Sequence, residues 1–262
     1  MKFNKTIFWL KERGRDALFW PYNLVRDFPA RLRRLGQTGQ AGAAGVITLV
    51  PEGARAVRRG TGRVWLGQAG RRLAAWLHRL VAQLFDLVGG PEIAQFFMHL
   101  FTHTTPLTTV EKEMMQAILG ENALRWQDVR VAEGGLYDWL FRHNGNLAFT
   151  TWYTINFPRY GRHTRNSLPI VVHELTHVYQ YHHVGTRYMT EAIYMLVTTK
   201  RDCYQYGGPN GLRRAAADGR TLSQFNREQQ AQIVQDYYTR QTVGQDTASY
   251  RPFLKQMRDG RL

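Results

Sequence analysis

A chain of 262 residues, 44% hydrophobic and 13% aromatic, is long enough for one or two domains and apolar enough to bury a core, which excludes a disordered polymer. Lys and Arg number 35 against 20 Asp and Glu, a net charge of +15 concentrated early: residues 1–105 carry 16 basic and 6 acidic side chains, residues 106–262 carry 19 and 14. Cys203 is the only thiol, so an intramolecular disulfide and a cysteine-based zinc site are both excluded.

The opening run MKFNKTIFWLKERGRD has an apolar stretch, Ile7 to Leu10, too short for a signal-peptide core, so Sec export is not expected. No window of 18 apolar residues occurs; the best, Leu73 to Phe101, is broken by Arg79, Asp86, the Gly89-Gly90-Pro91 turn and Glu92. The expected location is therefore cytoplasmic or peripheral to a membrane, or outside the cell by a non-Sec route.

Residues 1–35 read as a basic aromatic arm, in which Phe8, Trp9, Phe19, Trp20, Tyr22 and Phe28 alternate with Lys5, Lys11, Arg13, Arg15, Arg26, Arg31, Arg33 and Arg34. This interleaving suits an anionic membrane surface or a nucleic-acid backbone; packing of the aromatics on the rest of the chain is the plainer alternative. The run GQTGQAGAAG, residues 36–45, lacks apolar periodicity and reads as a flexible linker. Residues 46–105 form a basic amphipathic helical region. Within it Leu73, Trp76, Leu77, Leu80, Val81, Leu84, Leu87 and Val88 recur at helical spacing from Arg71 to Val88, and a second helix is expected from Pro91 to Phe101. Together these two predict a helical hairpin docked on the chain, a partner or lipid headgroups.

Residues 106–262 carry the chemistry. Thr108 with Glu111 three residues later is a capping-box pattern, and Gly120 marks a stop, so a helix is predicted from about Thr109 to Leu119. The β-branched and aromatic run from Leu147 to Phe157, bounded by Gly145 and Pro158, predicts a strand.

The stretch NSLPIVVHELTHVYQYHH then contains His173-Glu174-Leu175-Thr176-His177, an H-E-x-x-H match. On a helix, imidazoles at i and i+4 share one face and can reach one Zn2+; Glu174 projects beside them, placed to take a proton from water. Helix formation is supported by Asn166 or Ser167 as cap and Pro169 in the first turn.

Three residues compete to be the third zinc ligand. His183 has the spacing of the H-E-x-x-H-x-x-G-x-x-H pattern, but Gln180 replaces the glycine that lets the chain leave the helix. Glu191, 14 residues past His177, requires a tight return. Glu228 opens a helix capped by Asn226 in FNREQQAQIVQDYY and is favoured, with His183 and Glu191 as alternatives.

The succession LTTVEKEMMQAILGENALRWQDVRV, LAFTTWYTINFP, VVHELTHVYQY and FNREQQAQIVQDYY resembles the zincin-like domain of bacterial Vgr-related proteins and of core domains linked to contractile injection systems. The resemblance covers about residues 106–240 and does not reach the first 105; Tyr179 stands where that family often has Trp. It implies a zincin-like domain of a small sheet, an active-site helix and a glutamate-bearing helix; preceded by the basic helical N-terminal region, the whole is expected to be α+β, mainly helical. It also implies a zinc-dependent metallopeptidase, with His173, His177 and Glu228 on the metal and Glu174 as general base.

A peptide or protein substrate would pair with the edge of the 147–157 strand. Tyr153, His163 and Tyr237 are candidates for stabilising the transition state, and Asp236 for orienting a ligand. The competing expectation is a non-catalytic zincin-fold interaction protein whose residues 1–105 bind an anionic membrane or a secretion-apparatus protein. Nucleic acid is disfavoured, because no base-reading motif accompanies the charge.

Overall fold

The computed structural model describes residues 2–262, except for the side chains of residues 2–6, 8, 16, 19, 20, 200 and 201. The arm residues Lys5, Phe8, Phe19 and Trp20 therefore lie outside the described side chains. The fold is mainly helical with one small mixed sheet, as expected.

Three helices occupy the N-terminal region: α1 (Lys2–Arg58), α2 (Gly62–Leu87) and α3 (Gly90–Phe101). The run 36–45, expected as a flexible linker, is instead the middle of α1. The physical reason lies in α2. A Cβ at Gly42 would clash with the Trp76 ring and one at Gly53 with the Trp65 ring, so these glycines admit two indoles that pack the helices together. The Trp76 indole N–H also donates to the Thr38 carbonyl at 2.8 Å. Tertiary packing thus overrides the poor helix propensity of glycine.

The hairpin expected between Arg71 and Phe101 is different in detail. The α2 helix begins nine residues before Arg71 and turns back on α1 through Gly60, which takes a φ of 69°. The α3 helix, entered through left-handed Gly89, then packs on both. Among the described residues no helix is long and apolar enough to cross a membrane.

The sheet has the order β1 (Thr104–Pro106), β2 (Arg130–Glu133), β4 (Thr154–Phe157), β3 (Phe149–Thr151). The outer pairs are antiparallel and the central β2–β4 pair is parallel. The single strand expected over 147–157 is therefore two strands, reversed at Trp152-Tyr153, with Trp152 in the left-handed region at φ 53°. The aromatic and β-branched composition carried through the turn, which hid it.

Between β1 and β2 lies α4 (Thr109–Leu119), whose Thr108–Glu111 capping box forms as predicted. The α5 helix (Asp138–His143) precedes the hairpin. The central α6 (Leu168–Val184) is buried on every side from Val171 to Tyr181, so it reads as an apolar run rather than an amphipathic stripe. It packs on β3, β4, α4, α7 (Arg187–Thr199) and α9 (Arg227–Thr242). The α8 (Gly208–Ala217) and α10 (Arg251–Arg258) helices complete the core around Leu212, Tyr250, Phe253 and Met257.

Candidate metal centre

Two helices build the centre. Ser167 occupies the N-cap position of α6 but its side chain makes no capping bond, and Pro169 falls in the first turn, where a missing N–H costs nothing. The helix presents His173 and His177 on one face, with ring centroids 4.9 Å apart. Asn226 caps α9 by accepting from the Gln229 N–H at 2.8 Å, which places Glu228 in the first turn, facing α6.

The Nε2 atoms of His173 and His177 lie 3.3 and 3.5 Å from the same atom, Glu228 Oε2. These separations are longer than a charge-assisted hydrogen bond of about 2.8 Å. They match a tetrahedral ion instead: bonds of about 2.0–2.1 Å set neighbouring ligands about 3.3 Å apart. His173, His177 and Glu228 are the one trio of His, Cys, Asp or Glu among the described residues grouped closely enough for an ion, and all three are buried. Donor set and spacing therefore fit zinc.

The surroundings orient these donors. His177 Nδ1 donates to Gln180 Oε1 at 2.8 Å, which leaves its Nε2 facing Glu228. Gln180 is itself fixed, because its Nε2 donates to the Arg227 carbonyl and to Gln230 Oε1, both at 3.0 Å. The glutamine that replaces the expected glycine is thus a support for the second histidine, three residues on along the same helix. The Nδ1 of His173 has no partner among the described residues; its ring instead contacts those of His177 and Tyr204.

Electrostatics tie the trio together. Burial pulls His177 down, but the adjacent Glu228 carboxylate outweighs it, with help from Glu174 and Gln180, and raises the imidazole to about 9. Burial pushes Glu228 up, yet the two imidazoles hold its carboxyl far below the usual range. Glu174, on the same helix and fully enclosed, is raised chiefly by burial against the pull of both histidines. Its Oε2 accepts from the Thr150 hydroxyl on β3 at 2.8 Å. Cys203 lies close enough to feel Glu228, and burial, reinforced by that carboxylate, raises its thiol to about 11.

The other sequence candidates lie elsewhere. His183 remains on α6, its ring tilted against that of Tyr179 with centroids 4.3 Å apart, because the helix continues past Gln180. Glu191 is held between Arg187 and Arg227, on α7 and α9. Neither joins the trio. The Tyr153 hydroxyl is paired with His182 Nδ1 at 2.7 Å, and its ring lies under the Arg125 guanidinium. His163 is half-buried on the loop before α6 and makes no hydrogen bond or ring contact among the described residues. Tyr237 packs on Tyr250, and at about 100° per residue it lies on the side of α9 opposite Glu228. Asp236 accepts from Tyr206 and Gln232 rather than from a ligand residue.

Two residues near the centre carried no sequence signal. Tyr188, in the first turn of α7, stacks its ring 5.9 Å from His177 and donates its hydroxyl to the Thr150 carbonyl at 2.8 Å. Thr150 is on an edge strand, so Tyr188 occupies a backbone acceptor that an added strand would use.

Residues 106–185 match the family model of the eCIS core domain. That span takes in β2, the β3–β4 hairpin and the whole of α6, and ends 43 residues before Glu228. No curated protein and no solved structure matches the chain.

Proposed function

We propose that this chain is a zinc-dependent peptidase associated with a contractile injection system. The observation that carries the zinc assignment is the approach of His173 Nε2 and His177 Nε2 to one Glu228 oxygen at 3.3 and 3.5 Å. The association rests on the eCIS core match over residues 106–185, and a protein of the secretion apparatus is the corresponding partner.

A zinc ion held by these three residues would supply Lewis acidity, bringing a water's pKa toward neutrality and polarising a scissile carbonyl. Glu174 then acts as general base. Burial raises its carboxyl from the ordinary acidic range, which suits a group that must both accept a proton from water and return it to the leaving amine. The Thr150 hydroxyl fixes the Glu174 carboxylate, and Gln180 fixes the tautomer of His177.

An extended peptide would add to the outer edge of β3, with Tyr188 giving up the Thr150 carbonyl as the peptide enters. The test is hydrolysis of an internally quenched peptide library by wild type and Glu174→Gln. The variant should keep its zinc and lose activity by about 100- to 10,000-fold. Undiminished activity in the zinc-loaded variant would falsify the mechanism.

A second activity of the same chain, docking through its N-terminal region, is favoured by one observation. Leu73, Leu77, Val81, Leu84 and Val88 form a stripe on α2 that remains 44–67% exposed, flanked by exposed Arg71 and Arg72. An apolar stripe with basic flanks fits an anionic membrane surface. Full-length protein should co-sediment with phosphatidylglycerol vesicles, and Leu77→Glu with Val81→Glu should abolish this. Equal sedimentation of the double variant would remove the membrane assignment.

A further inference from the structure

A cavity of about 270 Å3 opens where α1, α2, the end of α6 with His183 and Val184, and the start of α7 meet. Arg34 comes from α1, Arg79 from α2 and Arg187 from α7, and no carboxylate lines it. Neither Arg34 nor Arg79 makes a hydrogen bond or ion pair among the described residues, and the Arg34 Nε is buried without a partner. The neighbouring acids are already engaged. Glu191 is shared between Arg187 and Arg227, and both oxygens of Asp86 accept from the Thr186 N–H. Four guanidiniums (Arg34, Arg79, Arg187 and Arg227) against two carboxylates (Glu191 and Asp86) leave a surplus of two positive charges. Burial and the proximity of Arg187 lower Arg79, the cost of crowding like charges.

A second feature of the cavity also points to a ligand. Gln83 is 5% exposed and lines the wall, yet its carboxamide has no hydrogen-bond partner among the described residues. Buried amides are ordinarily paired; here the enclosed orphan is the acceptor oxygen, Oε1, and the Nε2, which also makes no hydrogen bond among the described residues, is the donor left for an acceptor in the cavity. Trp76 forms another part of the wall, fixed by its bond to the Thr38 carbonyl.

We propose that this cavity binds a soluble phosphate-type dianion. Three guanidiniums arriving from three helices suit a tetrahedral group that offers an oxygen to each, and the doubly charged form balances the surplus. A lipid phosphate is the other source of the same chemistry. At about 100° per residue, however, Trp76, Arg79 and Gln83 share one side of α2, and the exposed stripe from Leu73 to Val88 lies on another. A stripe resting on a bilayer would turn the cavity away from it. Occupancy would also tie α7, which carries Tyr188 against the edge strand, to α1 and α2.

Isothermal titration of full-length protein with inorganic phosphate and pyrophosphate, at constant ionic strength set with chloride, tests this. We expect one saturable site per chain, at least tenfold weaker in Arg79→Gln and unchanged in Arg33→Gln, a nearby exposed arginine outside the cavity. Binding should also be unchanged in His177→Ala, which separates the cavity from the metal centre. Absence of a saturable site, equal weakening by Arg33→Gln, or loss in His177→Ala overturns the proposal. Binding to phosphatidic acid vesicles that inorganic phosphate displaces overturns the soluble source.

Discussion

The N-terminal helices α1 to α3 and the region from β1 onward solve the burial problem in opposite ways. In the second region, α6 disappears into a continuous core built from Met115, Ile155, Leu175, Ile233 and Phe253. In the first, the helices meet along a seam of glycines and tryptophans and leave apolar side chains on their outer faces, from Leu18 and Val25 to Val81 and Phe101. Charged contacts join the two regions, Arg125 to Asp27 at 2.7 and 2.9 Å, Arg130 to Glu12 at 3.0 Å, and Asp86 to the Thr186 backbone, beside the packing of Phe85 on Trp152. A region that buries its chemistry is thus attached to a helical region whose outer face leaves apolar side chains exposed. The division matches the charge distribution, since most of the basic excess falls in residues 1–105.

The comparison is sharpened first at the metal centre, where effects should be large and confined to one region. Gln180→Leu removes the acceptor that orients His177, and zinc affinity should fall about 10- to 100-fold by competition against a chelator. Vesicle binding should not change. A variant with wild-type zinc affinity would show that the Gln180 bond does not support the ligand.

At the junction the expected effect is smaller. Asp27→Asn breaks the charged bonds to Arg125 and should cost about 1–3 kcal/mol in chemical denaturation, with zinc content intact. The same pair predicts an acid response. Burial would raise Asp27, but Arg125 and Arg26 hold it below its ordinary value of 3.8. Its stabilisation is therefore complete above about pH 4 and is lost as the pH falls through the lower folded value. An identical acid denaturation profile for Asp27→Asn would break the claim that this pair joins the regions.

Legibility in the sequence divided along the same line. Local rules worked where local chemistry decides: the Thr108–Glu111 box starts α4, Asn226 starts α9, and the H-E-x-x-H helix forms with both histidines on one face. They failed where distant packing decides. The glycines of residues 36–45 suggested a linker because nothing local revealed that Trp76, more than 30 residues away, packs over Gly42. The hairpin at Trp152 was hidden because its turn is made of the same aromatic residues as its strands. At the centre, Gln180 was readable as an i+3 neighbour of His177. Tyr188 and Thr150 were not, since only the tertiary fold brings α7 and β3 together.

The central claim is that His173, His177 and Glu228 form a single zinc site. Elemental analysis of the purified chain, with variants at each competing ligand, tests it most directly. Wild type, His183→Ala and Glu191→Ala should each carry one zinc per chain, and His177→Ala and Glu228→Ala should carry almost none. Zinc retained in Glu228→Ala, or absent from wild type supplied with the ion, would contradict the account.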